Sequence, residues 1–238
     1  MNNCFVLPEE SDVADLLRYL ERAVKLDPNG AVRFRAYGDV LTVFVAPVYS
    51  GNLIEGSPLI LGLRTMRLAE NAEFDVCVSI ARTIQKLRGE TVEDFSLSKK
   101  LGRFTKGETP NQICLGDEII DVEWSRETPT RSGWELGGSF QEQQLTEIAR
   151  NGVAKITESL PTSVGGPIAA KVRAEIWGGA FDYKYPIPMG AAFVAAGLGF
   201  LTEGETVQWF TSGQWVRLSA EHGHVLTHFA RDYVSING

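Results

Sequence analysis

AVRFRAYGDVLTVFVAP, residues 31 to 47, decides the class of fold. Val32, Phe34 and Ala36 alternate with Arg33, Arg35 and Tyr37, the period-two pattern of a half-buried strand. Gly38-Asp39 suits a tight hairpin turn. Val40 to Val45 is almost entirely apolar, which predicts a central returning strand covered on both faces. Upstream the apolar period changes. Val13, Leu16, Leu17, Leu20, Ala23 and Val24 recur at threes and fours, one stripe of a helix of about four turns. Ser11 or Asp12 is placed to cap it, with no capping box, since Ala14 stands three residues after Ser11. Pro28-Asn29-Gly30 stops it. A helix feeding a hairpin, in place of a βαβ crossover, predicts an α+β fold of antiparallel hairpins and meanders packed against helices.

Further on, Leu59 to Leu68 reads as a third strand, and Ser79 caps a helix over Ile80 to Leu87. Residues 89 to 133 are the least regular part, punctuated by Gly102, Gly107, Pro110, Gly116, Pro129 and Gly133, with short strands around Ile113 and from Ile119 to Trp124. The chain is therefore one α+β domain over 1–238. The alternative is an N-terminal subdomain, 1–90, joined to a C-terminal one, 134–238, by irregular 91–133. Ser139 and Glu142 have capping-box spacing ahead of the stripe Leu145, Ile148, Ala149, Val153 and Ile156. A helix opening at Pro167 follows. Another, Met189 to Leu198, is so rich in Ala and Gly that a neighbouring element must pack very close to it. TVQWFT, a Ser212-Gly213 turn and QWVRLS form a late hairpin. Its likeness to the early one leaves open an internal duplication into two helix–hairpin halves.

Composition narrows function. Hydrophobic residues make up 44% and charged residues 22%, so the chain has material for a real core. The net charge of −7 argues against nucleic acid as partner, because a phosphate backbone needs a positive field. The densest basic run, Lys99, Lys100, Arg103 and Lys106, is broken by glycines and reads as a solvated loop. MNNCFVLPEESD has no basic n-region and no long apolar stretch, so it is not expected to be a secretory signal, and IPMGAAFVAAGLGFL (187–201) is too short to span a bilayer, so no membrane role is expected. Cys4, Cys77 and Cys114 are odd in number and widely spaced, which favours reduced, buried thiols in the cytoplasm.

No phosphate-loop, dinucleotide, nucleophile-elbow or H-E-x-x-H motif is present. SVGGP before a helix lacks a nearby cation, with Lys171 a full turn inside, and Cys77 sits between apolar neighbours that suit a core thiol. WGGAFDYKYPIP (177–188) crowds Trp177, Phe181, Tyr183 and Tyr185 into one loop. Such aromatics build a ligand pocket or a partner surface, or they simply staple the loop to the core.

EHGHVLTH (221–228) holds all three histidines. Val225, Thr227 and Phe229 favour a strand, along which His224 and His228 stand ~13 Å apart and cannot share an ion. His222 and His224 remain as weak metal candidates beside a His222-Gly223 turn. A structural zinc wants further ligands, so no metal is favoured and no cofactor is expected.

SGWELGG (132–138), LPTSVGGPIAAKVRAEIWG (160–178), GAAFVAAGLGFL (190–201) and GQWVRLS (213–219) together resemble an uncharacterised actinobacterial family of conserved proteins. That resemblance implies a cytoplasmic bacterial protein. The family has no assigned activity and carries no functional residues over. The leading expectation is a non-enzymatic protein that binds a protein partner or forms a homodimer. The alternative is a small-molecule enzyme or sensor with a pocket near 177–188.

Overall fold

A computed structural model describes residues 3–49, 57–89, 111–116, 118–160, 166–182 and 184–229. The chain divides into two compact units. The first is Met1–Val43 with Thr65–Asp121, and the second is Phe44–Arg64 with Val122–Gly238.

The first unit opens with β1 (Cys4–Val6) and α1 (Glu10–Leu26). The helix starts ahead of the expected caps. Glu9 is its N-cap, and its N–H donates to the Asp12 carboxylate at 3.1 Å, so a capping box is present after all, built from two acids. Leu16, Tyr19, Leu20 and Ala23 face inward, and the Tyr19 hydroxyl donates to the Val43 carbonyl at 3.3 Å.

β2 (Ala31–Val48) contains the quoted hairpin. Thr42 Oγ1 donates to the Arg35 carbonyl at 3.1 Å. An unbroken strand would separate those residues by ~23 Å, so the chain reverses at Gly38-Asp39. Gly38 has φ +61°, as such a turn requires. The returning arm departs from expectation. Val40 is exposed and Thr42 and Phe44 are half-buried, so it alternates until Val45 and is not covered on both faces.

Beside β2 lies β3 (Ile60–Ser79), which runs on past the expected end at Leu68. Arg33 grips Asp75 on β3 with both Nε and Nη2, each at 2.7 Å. Helix α2 (Ile80–Leu87) has the expected bounds, with Ser79 Oγ accepting from the Arg82 N–H. Strand β4 (Gln112–Cys114) pairs antiparallel with β1 and sets Cys114 opposite Cys4. The two form a disulfide, which corrects the expectation of three reduced thiols. Cys77 is in no disulfide and is buried. No strand forms over 119–122, and a 3-10 turn takes Glu123–Arg126 instead. Ile120 N–H bonds the Cys77 carbonyl, but no ladder continues from it. The basic run from Lys99 to Lys106 lies outside the described residues.

The second unit holds β5 (Glu135–Gln141), α3 (Glu142–Ser159), α4 (Gly166–Gly178), β6 (Ala180–Asp182), β7 (Tyr185–Pro188), α5 (Met189–Gly197), β8 (Thr206–Ser212), β9 (Trp215–Ala220) and β10 (Gly223–His228). The start of β3 pairs with β10, and β10-β9-β8-β5 continue as an antiparallel meander. Ser139 lies opposite Gln208 with the chain still extended for two more residues, so the helix opens too late for it to cap α3. Gln141 does so, two residues later, with its N–H donating to Gln144 Oε1 at 2.8 Å. One sheet face carries Val207, Val216, Leu218 and Val225, all buried, and meets the helices. The close approach expected at α5 is real. A Cβ on Gly190 would fall 2.4 Å from Ile60 Cδ1 and 3.0 Å from Trp177 Cβ.

Both units place a short strand before their longest helix, β1–α1 and β5–α3, and the architecture is α+β with antiparallel sheets. No helix among the described residues is long and apolar enough to cross a membrane.

Candidate functional site

Cross-strand partners in a sheet share a face, so the register of the second unit reads out its outer surface row by row. One row is Ser139, Gln208, Ser219 and His224, on β5, β8, β9 and β10. The next is Leu136, Phe210, Arg217 and Leu226. A third brings Ser212, Trp215 and His228 together.

Segment 127–134 lies across this face. Glu127 approaches His228 Nε2 at 3.3 Å, Thr130 donates to Ser212 Oγ at 3.0 Å, and the Trp134 indole N–H donates to the Thr130 carbonyl at 3.1 Å. The Trp134 ring thereby covers Arg217. The guanidinium carbon is 4.6 Å from the Trp134 centroid and 4.7 Å from that of Phe210, within cation–π range of both.

Arg217 forms no ion pair with a carboxylate among the described residues, and burial lowers its pKa. Nε of Arg217, Oγ of Ser219 and Nδ1 of His224 are all closed to solvent without a hydrogen-bond partner. A buried polar group left unpaired costs about 1–3 kcal/mol. Three on adjoining positions of one face form the densest such cluster in the described residues. Thr202 Oγ1, Glu205 Oε1 and Trp209 Nε1 are also unpaired, but off this face. His224 is held below its ordinary pKa, first by burial and then by the charge of Arg217. It is therefore neutral at pH 7.

The aromatic loop is used differently. Trp177 is 4% exposed and stacks on Phe193 at 4.4 Å. Phe181 and Tyr185 both meet Phe140 edge-on, at 5.5 and 5.0 Å. Tyr183 lies outside the described residues. Phe181 also lines an open groove of about 340 Å³ with Ile148, Asn151, Lys155, Glu158 and Met189.

For the histidines, Gly223 pairs with Ala220, so the turn is Glu221-His222, one residue earlier than expected. His222 is exposed in that turn, while His224 is half-buried in the ladder. No group of three His, Cys, Asp or Glu side chains among the described residues is placed to hold a metal ion.

Trp134, Phe210, Arg217 and Ser219 escaped the sequence reading. Their signal was there in outline, since W-V-R-L-S at period two sets Trp215, Arg217 and Ser219 on one face. Only the register shows what that face meets.

Residues 1–101 match a domain of unknown function (DUF8010), and residues 129–231 match a second (DUF8185). No curated protein matches the sequence. In fold the chain is similar to DNA polymerase III subunit beta from Borrelia burgdorferi, with 10% identity over 99% of this chain and 67% of that one, at a TM-score of 0.52. It is also similar to the DNA polymerase III beta chain of Streptococcus pneumoniae, with 12% identity over 96% and 65% of the two chains and a TM-score of 0.50. The likeness is one of fold. The chain spans about two thirds of the length of these subunits.

Proposed function

We propose that this chain is a non-enzymatic binding protein that engages a protein partner or a second copy of itself through the outer face of the second unit's sheet. The observation that carries the reading is the Arg217 guanidinium held between Trp134 and Phe210, beside Leu136, which is 62% exposed. Trp and Arg dominate binding energy at interfaces, and an exposed leucine next to them adds apolar area for a partner to cover. The fold neighbours are named as subunits of a polymerase, which supports a role within an assembly. The net charge of −7 favours protein over nucleic acid as the partner, in a cytoplasmic setting.

Light scattering after size-exclusion chromatography, with a pull-down from the native host, tests this. Association lost in Trp134→Ala supports it. A strict monomer that retrieves nothing, and that binds DNA in a salt-dependent way, would overturn it.

A second reading, a small-molecule sensor, draws on the groove beside Phe181. A thermal-shift screen against metabolites decides it, since stabilisation lost in Phe181→Ala would place the ligand there.

A further inference from the structure

We infer that Arg217, Ser219 and His224 form a carboxylate-binding site, and that the group it takes is the side-chain carboxylate of an aspartate or glutamate on a partner protein. The source of that carboxylate rests on the interface reading above. The site itself rests on the register alone.

Ser219 stands directly opposite His224, and Arg217 is two residues along the same strand on the same face. In a sheet these are direct and diagonal neighbours, close enough for one small group to touch all three. Their unpaired atoms are Nε, Oγ and Nδ1. A guanidinium nitrogen can only donate, a hydroxyl can turn its proton outward, and a neutral imidazole can carry its proton on Nδ1. Three groups able to donate therefore stand on adjoining positions, and the hydroxyl oxygen of Ser219 is the one acceptor among them. Gln208, the other neighbour of Ser219, is neutral. Among the described residues no carboxylate pairs with the Arg217 guanidinium, and Glu127, on the same face, is turned to His228.

Shape selects the anion. Rings at 4.6 and 4.7 Å occupy the guanidinium's surroundings and leave its edge, a planar fork whose match is a planar carboxylate. Trp134 is the cover. Its ring is half-exposed and is carried on segment 127–134, outside the ladder. Nε is closed to solvent, so a carboxylate bonds it only when a covering group shifts, and binding then changes the surroundings of Trp134 and His224 together.

The test uses the full chain with labelled histidine, titrated with acetate against chloride at constant ionic strength. His224→Gln assigns the signal that belongs to His224. The imidazole signal should move saturably with acetate and not with chloride. In Arg217→Gln the apparent affinity should fall at least about tenfold, as expected when a charge-assisted bond is lost. Should that variant fail to fold, Arg217→Lys keeps the charge and loses the fork, and should still weaken binding. An unmoved His224 signal overturns the inference, as does an equal response in Arg217→Gln or Arg217→Lys. So does saturation by inorganic phosphate with none by acetate. If acetate does nothing while Trp134→Ala still abolishes association, only this inference falls. If acetate binds and no association exists, the interface reading falls instead.

Discussion

The Trp134 ring lies 4.6 Å from the guanidinium carbon of Arg217, and the two come from opposite kinds of structure. Arg217 is fixed in the middle of a meander, whereas Trp134 arrives on a segment that joins no ladder until Glu135. Their contact ties that segment to the sheet.

Trp134→Ala should loosen segment 127–134 while leaving the sheet intact. A half-exposed cation–π contact is worth about 0.5–1 kcal/mol, so urea unfolding should show a loss near that size with an unchanged m-value. Amide exchange should quicken around Thr130 and Ser212, which the segment joins at 3.0 Å. A loss of several kcal/mol would mean that Trp134 supports the core and not merely its cover.

The Cys4–Cys114 bridge closes a sequence separation of 110 residues. Constraining so long a loop in the unfolded chain is worth about 2–5 kcal/mol. Reduction should therefore lower the melting temperature, and Cys4→Ser with Cys114→Ser should reproduce that loss without reductant. Thiol titration in denaturant should find one reactive cysteine before reduction, Cys77, and all three after it. Three thiols in protein alkylated at the moment of cell lysis would show that the bridge forms only in oxidising surroundings.

The hairpin at Gly38-Asp39 and the α2 boundaries were legible because local chemistry decides them. A two-residue turn and a serine cap need no distant partner. The Cys4–Cys114 bridge was not legible, since it depends on two three-residue strands far apart in the chain finding one register. The same holds for the candidate site. Trp134 reaches Arg217 across 83 positions of chain, and no spacing rule connects them. The two displaced helix caps fail for a different reason. Ser139 has the right side chain for a cap, but the chain stays extended to Gln141, the last residue of the ladder and the actual cap, so Ser139 never reaches the first turn.

Gly152→Ala and Gly190→Ala should both destabilise, because each glycine lets a helix approach Trp177. A new Cβ would sit 2.3 Å from Trp177 Cζ3 at position 152 and 3.0 Å from Trp177 Cβ at position 190. Overpacking of this kind costs about 1–3 kcal/mol and outweighs the helix propensity gained from alanine. Trp177 stacks on Phe193, so near-UV dichroism should change in both variants. Rescue by Trp177→Phe at position 152, but less so at 190, would confirm which atoms collide. At position 190 the new Cβ meets Ile60 Cδ1 first, then Trp177 Cβ and the Trp177 carbonyl, none of which the change to phenylalanine removes.

Stability should depend on pH through His224. Burial and then Arg217 hold its folded-state pKa below the ordinary 6.5. The unfolded chain takes up the proton near 6.5, while the folded chain resists it. Stability is therefore fully present above about pH 6.5 and declines as the pH falls from there to the lowered folded pKa, below which the His224 contribution stays flat. Denaturant midpoints measured between pH 8 and pH 5 should trace that decline. In His224→Gln the slope over the same window should flatten, because glutamine occupies the row without titrating. A slope equally steep in His224→Gln would assign the pH response to another group. A saturating acetate concentration should shrink the decline in the wild type alone, since a bound carboxylate offsets the charge of Arg217 and makes the protonated imidazole easier to hold.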